Sequence, residues 1–206
     1  MKITGFTASD FNVFKIAGLE DRMSALQERL RPKLEALGQH LAGELAVMTG
    51  EEMYYHVAKH ARRTINPPND TWVAFSSNKR GYKMMPHFQI GLWETHVFIW
   101  FALIYEAPNK GAAGAAFEQN IDQIVSSIPG HFVWSGDHTI PDAAPGSELT
   151  KDGILALFQR VQNVKSAEIL CGLHIPREEA VSMSADKLTA VIHDVFETLI
   201  PLYKLS

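Results

Sequence analysis

The segment from His56 to Ile90 concentrates the residue types that bind anions and transfer protons. Between His56 and Ile90 the sequence contains six lysine or arginine side chains but a single carboxylate, Asp70, whereas the whole chain has a net charge of −4. Such segregation creates a local positive potential without making the rest of the surface basic. We therefore predict that this segment contributes to the functional site.

The chemistry of these side chains suits a phosphate or carboxylate group. Arginine binds such groups through two parallel hydrogen bonds, whereas lysine acts as a point charge. The interspersed histidines are predicted to be neutral hydrogen-bond partners or groups that titrate near neutral pH. The predicted site for a small anionic ligand, a metabolite or nucleotide, comprises His56, His60, Arg62, Arg63, Lys79, Arg80, Lys83, His87, Gln89 and His174.

Other functions are compatible with the same residues. A phosphoester or related hydrolase would use one histidine as general acid or base, with Glu168 as a partner if it approaches that histidine. A nucleic-acid-binding protein would stack bases on Trp72 or Trp93, although a net charge of −4 is low for that role. A protein-interaction module, whose lysines only protect a sheet edge, is the alternative without a ligand. The histidines considered for the hydrolase are His56, His60, His87 and His174.

The sequence indicates neither a metal site nor a cofactor. His56 and His60 are four positions apart, which suits two metal ligands on a helix, but on a strand this spacing separates them by about 13 Å. Cys171 is the single cysteine and lies in an apolar run, which favours a buried structural role and excludes an intrachain disulfide. The sequence lacks the glycine-rich nucleotide motifs, the G-x-S-x-G elbow, H-E-x-x-H and C-x-x-C.

Composition places the protein in the cytoplasm. The longest apolar run, residues 97–105, is about half of what a membrane-spanning helix requires. The first residues lack the basic and then apolar layout of a signal peptide. We therefore predict a cytoplasmic protein with no membrane partner, and no sequence feature indicates an oligomeric state.

Apolar residues spaced by three and four predict helices at both ends of the chain. Thr7 can cap a short first helix, and a long amphipathic helix follows over residues 23–48, which Pro32 should kink or split. Later helices are predicted over residues 117–128, after Thr150, and over residues 188–199, the last of which ends at Pro201.

Alternating apolar and polar residues predict strands in the middle of the chain. The runs are residues 53–63, 71–75, 87–93, 96–105, 132–134 and 169–175. Residues 87–93 and 96–105 are separated by Glu94 and Thr95 alone, a spacing that predicts a tight hairpin. The chain is therefore expected to form a single α+β domain over residues 1–206, with a central, mostly antiparallel sheet of about five to six strands and helices packed on one face and at the ends.

Side chains at odd and even positions of a strand point to opposite faces of the sheet. Phe88, Ile90 and Leu92 are expected to face the helices. If the polar residues at the alternate positions align, the opposite face is expected to be a functional surface that carries His56, His60, Arg62, His87, Gln89 and His174.

One stretch of sequence resembles a known family. Residues 56–75 read His-Val-Ala-Lys-His-Ala-Arg-Arg-Thr-Ile-Asn-Pro-Pro-Asn-Asp-Thr-Trp-Val-Ala-Phe, and residues 78–93 read Asn-Lys-Arg-Gly-Tyr-Lys-Met-Met-Pro-His-Phe-Gln-Ile-Gly-Leu-Trp. These segments resemble the YktB-like family of uncharacterised bacterial proteins, and the resemblance extends over the full length. It implies an α+β fold and a cytosolic protein of a Bacillus-type bacterium, and it carries no established activity, ligand or catalytic residue.

Overall fold

Seven strands form one sheet in the computed structural model, which describes residues 2–206. Their order is β1-β2-β3-β4-β7-β5-β6, and every pairing is antiparallel. The α+β prediction is confirmed, with seven strands instead of five to six. The strands are β1 (Tyr54–Val57), β2 (Asp70–Ser76), β3 (His87–Trp93), β4 (His96–Leu103), β5 (Val133–Ser135), β6 (Ala144–Pro145) and β7 (Ile169–Pro176).

Helices precede, interrupt and follow the sheet. The predicted helix over residues 117–128 is two helices that meet at Asn120. No helix within residues 2–206 combines the length and the apolar character needed to cross a bilayer. The helices are α1 (Ala8–Asn12), α2 (Leu19–Ala25), α3 (Arg31–Thr49), α4 (Lys110–Gln119), α5 (Ile121–Ser127), α6 (Lys151–Asn163), α7 (Arg177–Ser182) and α8 (Ala185–Leu205).

The long N-terminal helical stretch is divided where the sequence predicts it. A turn of π-helix over Leu26–Leu30 separates α2 from α3, and Pro32 occupies the first turn of α3. Pro32 has no N–H to donate to the carbonyl of Glu28, and the π-turn lies immediately before this missing hydrogen bond. The leucines of the predicted stripe are buried, whereas Met23 and Met48 at its ends are partly buried. α3 ends at Thr49 and is capped by Gly50, whose φ of 81° suits glycine.

The last helix continues past the position at which it was expected to end. Pro201 lies inside α8, which reaches Leu205, so the predicted stop was wrong. Packing explains the continuation, because Leu202 and Tyr203 in the final turn are buried. The Tyr203 ring stacks on Phe88 of β3 with a centroid separation of 5.2 Å. This contact lies in the helix-covered core.

One face of the sheet lies under the helices. α3 packs on β1 and β2, whereas α8 packs on β4 and β7. Phe75, Phe88 and Phe101 on this face are fully buried, and Phe88 also meets Phe196 of α8 at 5.0 Å between ring centroids. The prediction that Phe88, Ile90 and Leu92 face the core is confirmed.

The opposite face is largely covered as well, which the sequence did not predict. A second apolar cluster over this face includes Phe98, Trp100, Ile104 and Leu170. Loops after β1, β2 and β5 close over parts of it, and the polar side chains of His87 and Gln89 are buried there. The expected open polar surface is therefore reduced to a cleft.

The first strand is much shorter than predicted. β1 ends at Val57, so the predicted strand over residues 53–63 was wrong beyond that point. The chain then turns, and His60 has a φ of 50°, a left-handed conformation that is uncommon for residues other than glycine. The alternation expected for His60 and Arg62 does not apply, because both lie in a loop rather than in the sheet.

Close strand approach gives a direct test of this architecture. A Cβ atom at Gly172 of β7 would lie 1.8 Å from the backbone oxygen of Ile99 in β4, so alanine cannot fit without a backbone shift. We expect Gly172→Ala to lower the free energy of unfolding by about 2 kcal/mol or more, as overpacking does. Urea unfolding followed by circular dichroism measures the change.

Gly43 provides the matched control. It is exposed in α3, and a Cβ atom there would have no heavy atom within 4 Å. Gly43→Ala is expected to raise the free energy of unfolding by roughly 0.5–1 kcal/mol. Equal stability of Gly172→Ala and the wild type would contradict the close pairing of β4 with β7.

Candidate functional site

A cleft of about 480 Å³ opens over the second face of the sheet. The loop after β1, the loop between β2 and β3, and the loop after β5 each contribute to its wall. Among the residues that the structure describes, its lining contains four cations and no carboxylate. Those cations are Lys59, Arg62, Arg63 and Lys83.

The cations differ in how they are held. Lys83 is half-buried and forms an ion pair with Glu106 at 2.8 Å. Lys59, Arg62 and Arg63 are exposed, and none of them forms an ion pair with a carboxylate of residues 2–206. Their positive charges are therefore free to attract an anion into the cleft.

Aromatic and amide groups form the cleft floor. The indole Nε1 of Trp72 donates a hydrogen bond to Tyr82 Oη at 3.0 Å, and the Tyr82 ring meets His87 edge to face at 4.9 Å. His87 Nδ1 donates to the Met85 carbonyl oxygen at 2.8 Å, so its Nε2 accepts from Gln89 Nε2 at 3.0 Å. These hydrogen bonds hold the Trp72, His87 and Gln89 side chains of the floor in fixed orientations.

His87 is consequently a structural histidine. Both ring nitrogens have partners and the side chain is fully buried. Burial lowers the pKa of His87 to about 4. The imidazole is therefore neutral at physiological pH, and no ring nitrogen is left to transfer a proton to a ligand.

His60 lines the cleft near the free cations. Its Nε2 lies 3.2 Å from Thr71 Oγ1, and its ring packs edge-on against Trp72 with a centroid separation of 5.5 Å. Burial, together with the charge of Arg63, lowers the pKa of His60 to about 4. His60 is therefore a neutral wall residue at neutral pH.

Asp70 lies beneath the cleft at the start of β2. Its side chain borders a small cavity that is also lined by Gln89 and His138. Burial raises the pKa of Asp70 to about 6, although the charges of His138 and Arg63 oppose this shift. A carboxyl group that titrates near neutral pH thus lies close to the predicted anion site.

His138, which was not among the predicted site residues, forms an ion pair with the buried Glu168. His138 Nδ1 lies 2.8 Å from Glu168 Oε2, and the same oxygen accepts from the His138 backbone N–H at 3.0 Å. The other oxygen of Glu168 accepts from the Tyr105 N–H at 3.2 Å. Burial acts to lower the pKa of His138, but the hydrogen bond and charge of Glu168 outweigh it and raise that pKa above its usual value.

Three side chains around the His138–Glu168 pair could also be considered as metal ligands. Asp137, His138 and Glu168 each place one potential ligand atom within 4.8 Å of the others. However, the two oxygens of Glu168 already accept three N–H groups, and Asp137 Oδ1 accepts from Thr139 N and Oγ1. The hydrogen-bonded pair accounts for this geometry without an ion.

The predicted site residues are only partly brought together. His60, Arg62, Arg63, Lys83 and Gln89 line the cleft. His87 lies just beneath it, as described above. The remaining four, which are not among its lining residues, are His56, Lys79, Arg80 and His174.

Two of those four have other partners. His56 Nε2 lies 3.0 Å from the backbone oxygen of Asn78. His174 lies near the C-terminal end of β7, where its ring contacts that of His96 at 3.9 Å between centroids and an interplanar angle of 32°. Lys79 and Arg80 are exposed in the turn after β2. The basic segment of the sequence is thus distributed over more surface than the cleft itself.

Three candidate site residues, His138, Glu168 and Asp70, were not predicted from the sequence in the places that they occupy here. His138 lies in a polar loop with no periodicity to orient it. Glu168 was considered as a partner for another histidine, and Asp70 only as the single acid of a basic segment. The one sequence feature that could have indicated His138 is its position next to Asp137 in a loop rich in polar residues.

Comparisons with known proteins identify the family. A sequence model described as a domain of unknown function, DUF1054, matches residues 6–203. A UPF0637 protein of Bacillus licheniformis is 54% identical over 201 residues, which are 98% of this chain and 95% of the relative. UPF0637 proteins of Bacillus velezensis and Bacillus mycoides are 51% and 50% identical over at least 98% of this chain and 96% and 99% of the relatives. The chain belongs to the DUF1054 family, and the resemblance to a Bacillus-type family is confirmed.

The buried carboxyl group generates a prediction about pH. The folded chain holds the proton of Asp70 more tightly than the unfolded chain does, so ionisation of Asp70 lowers the free energy of unfolding as pH rises from 3.8 to about 6. Asp70→Asn stays neutral, so its stability relative to the wild type should increase over this range. The increase is at most about 3 kcal/mol, since one pKa unit corresponds to about 1.4 kcal/mol.

Urea unfolding of both proteins between pH 4 and pH 7 tests this expectation. The difference between the two proteins isolates Asp70, because the buried histidines titrate in both. A difference that does not change with pH would show that Asp70 ionises normally in the folded protein.

Proposed function

We propose that this member of the DUF1054 family binds a small metabolite or nucleotide that carries a phosphate or carboxylate group. The observation that carries this proposal is the lining of the cleft, which contains four cations and no carboxylate among the described residues. A concave site lined in this way attracts an anion and concentrates the field inside the cleft.

The dimensions suit a small ligand. A volume of about 480 Å³ falls within the roughly 300–1,000 Å³ that is usual for sites that bind small molecules. Trp72 and Ile104 supply apolar contact area, while Gln89 and Tyr82 contribute hydrogen-bonding groups. A ligand with an anionic end and an organic body would use both kinds of wall.

The cations have distinct expected roles. Arg62 and Arg63 are adjacent and unpaired, so they can present forked N–H groups to two oxygens of one anionic group. Lys83 is fixed by Glu106 and would contribute a point charge at a defined position. Lys79 and Arg80, outside the lining, would strengthen the field without contacting the ligand.

Nucleic acid is the less favoured polyanion. The cleft is concave, Trp93 does not line it, and Trp72, the other predicted stacking residue, donates its indole N–H to Tyr82. The net charge of −4 over the whole chain also opposes a long polyanion. A hydrolase requires a proton-transfer group that faces the ligand, and His56, His87 and His174 do not line the cleft.

Thermal unfolding in the presence of ligands tests the proposal. The purified chain is heated with inorganic phosphate, nucleoside monophosphates, sugar phosphates and dicarboxylates. A ligand at a hundredfold excess over its Kd should stabilise the native state by about 2.7 kcal/mol, which corresponds to roughly 5–10 °C in Tm for a chain of this size. Arg62→Ala and Arg63→Ala should each remove most of this shift.

Lys165→Ala is the matched control, since Lys165 is an exposed loop cation that does not line the cleft. It should retain the full shift. Short oligonucleotides at low and moderate salt form a second arm, because binding of a polyanion weakens by orders of magnitude as salt increases. A panel without any shift, or a shift that survives both arginine substitutions, would refute the proposed anion site.

A further inference from the structure

The His138–Glu168 pair has the arrangement of a proton-transfer group. Glu168 is 4% exposed and lies just before β7, while His138 lies in the loop after β5. With three N–H groups donated to it, the carboxylate is held in one orientation. Its hydrogen bond to Nδ1 keeps the Nδ1–H tautomer of His138, so that Nε2 carries the free lone pair.

The remaining nitrogen of His138 is available to a ligand. Nε2 lies on the ring edge away from Nδ1, the residue lines the cleft, and 22% of its side chain is exposed. The Tyr105 ring stacks on the imidazole with a centroid separation of 6.5 Å and an interplanar angle of 27°. Glu168 and Tyr105 thus restrict the ring from two sides.

We propose that the cleft hydrolyses a phosphoester, with His138 as the general base and Glu168 as its positioning residue. This inference rests on the proposed function, because the anion that the cations attract would be the phosphate of the substrate. The free cations and the histidine line the same cleft, so a bound phosphoryl group and an activated water molecule can meet there.

The reaction consumes one water molecule. His138 Nε2 takes a proton from water as the water oxygen bonds to phosphorus, and the P–O bond to the leaving alcohol breaks. The leaving oxygen takes a proton from solvent, and the imidazolium returns its proton to solvent. Arg62, Arg63 and Lys59 stabilise the negative charge on the phosphoryl oxygens, while the carboxylate of Glu168 stabilises the imidazolium.

Other histidines are less suited to this role. His87 has partners at both ring nitrogens. Burial and the positive charge of the neighbouring Arg63 oppose protonation of His60. By contrast, the charge of Glu168 favours the protonated form of His138 that the step generates. A general base works best when its pKa lies near the working pH.

The test uses the full chain with p-nitrophenyl phosphate and bis(p-nitrophenyl) phosphate, in the presence of EDTA. The wild type should release p-nitrophenolate with saturation, and the rate should rise with pH through the titration of His138. We expect His138→Ala to lower kcat by about 10²–10⁴, the usual contribution of a general base. Lys165→Ala should turn over as the wild type does.

Glu168→Gln separates positioning from a merely structural role. It removes the charge behind the imidazole, so the pH at which the rate rises should move to lower pH, in addition to any loss of rate. An unchanged pH profile would overturn the role of Glu168. His138→Ala removes one of the three donors of the buried Glu168 carboxylate and should lower the Tm, but the folded variant should still bind inorganic phosphate.

The outcomes distinguish this inference from the proposed function. Phosphate binding that depends on Arg62 without turnover of either ester would overturn the hydrolase and leave the anion site intact. Absence of both binding and turnover would overturn both. Turnover that requires added Zn²⁺ or Mn²⁺ and is lost with EDTA would show a metal centre at Asp137, His138 and Glu168, which would also overturn the proposed mechanism.

Discussion

The antiparallel register of β2, β3, β4 and β7 constrains every other part of the molecule. Because side chains alternate along each strand, this register sends Phe75, Phe88 and Phe101 to the helices and the alternate residues to the opposite face. A shift by one residue would place the apolar set on the wrong side. The close contact between Gly172 and the backbone of Ile99 further limits how β4 and β7 can pair.

The second face shows how a polar site can be built on an otherwise apolar sheet. Phe98, Trp100 and Leu170 cover part of this face, and the hydrogen-bonded series from Trp72 through Tyr82 occupies another part. Buried polar groups require partners, and His87 and Gln89 satisfy each other. These hydrogen bonds fix the floor of the cleft. Three loops can therefore place charged side chains above the floor without disturbing the core.

Several site residues could be predicted because composition alone identifies them. Arg62, Arg63 and Lys83 belong to a segment with a marked excess of cations, and they line one cleft. His174 was grouped with them from strand alternation, which assigns a face correctly but says nothing about distance along that face. It lies on β7 beside His96, and β7 is three strands across the sheet from the cleft residue Trp72 on β2. His138 was missed because a loop residue has no periodicity from which its direction follows.

Local patterns in the sequence determined the element types, the helix caps, the apolar face and the basic segment, because each depends on residues only a few positions apart. Thr150 caps α6 as expected, and residues 87–93 and 96–103 form the expected hairpin. Tertiary structure alone decided that β1 stops at Val57, that α8 continues through Pro201, and that His138 meets Glu168 across 30 positions. These outcomes depend on contacts between segments that are distant in the sequence and that the strand order brings together. The energies of these contacts outweigh the local conformational preferences of the residues.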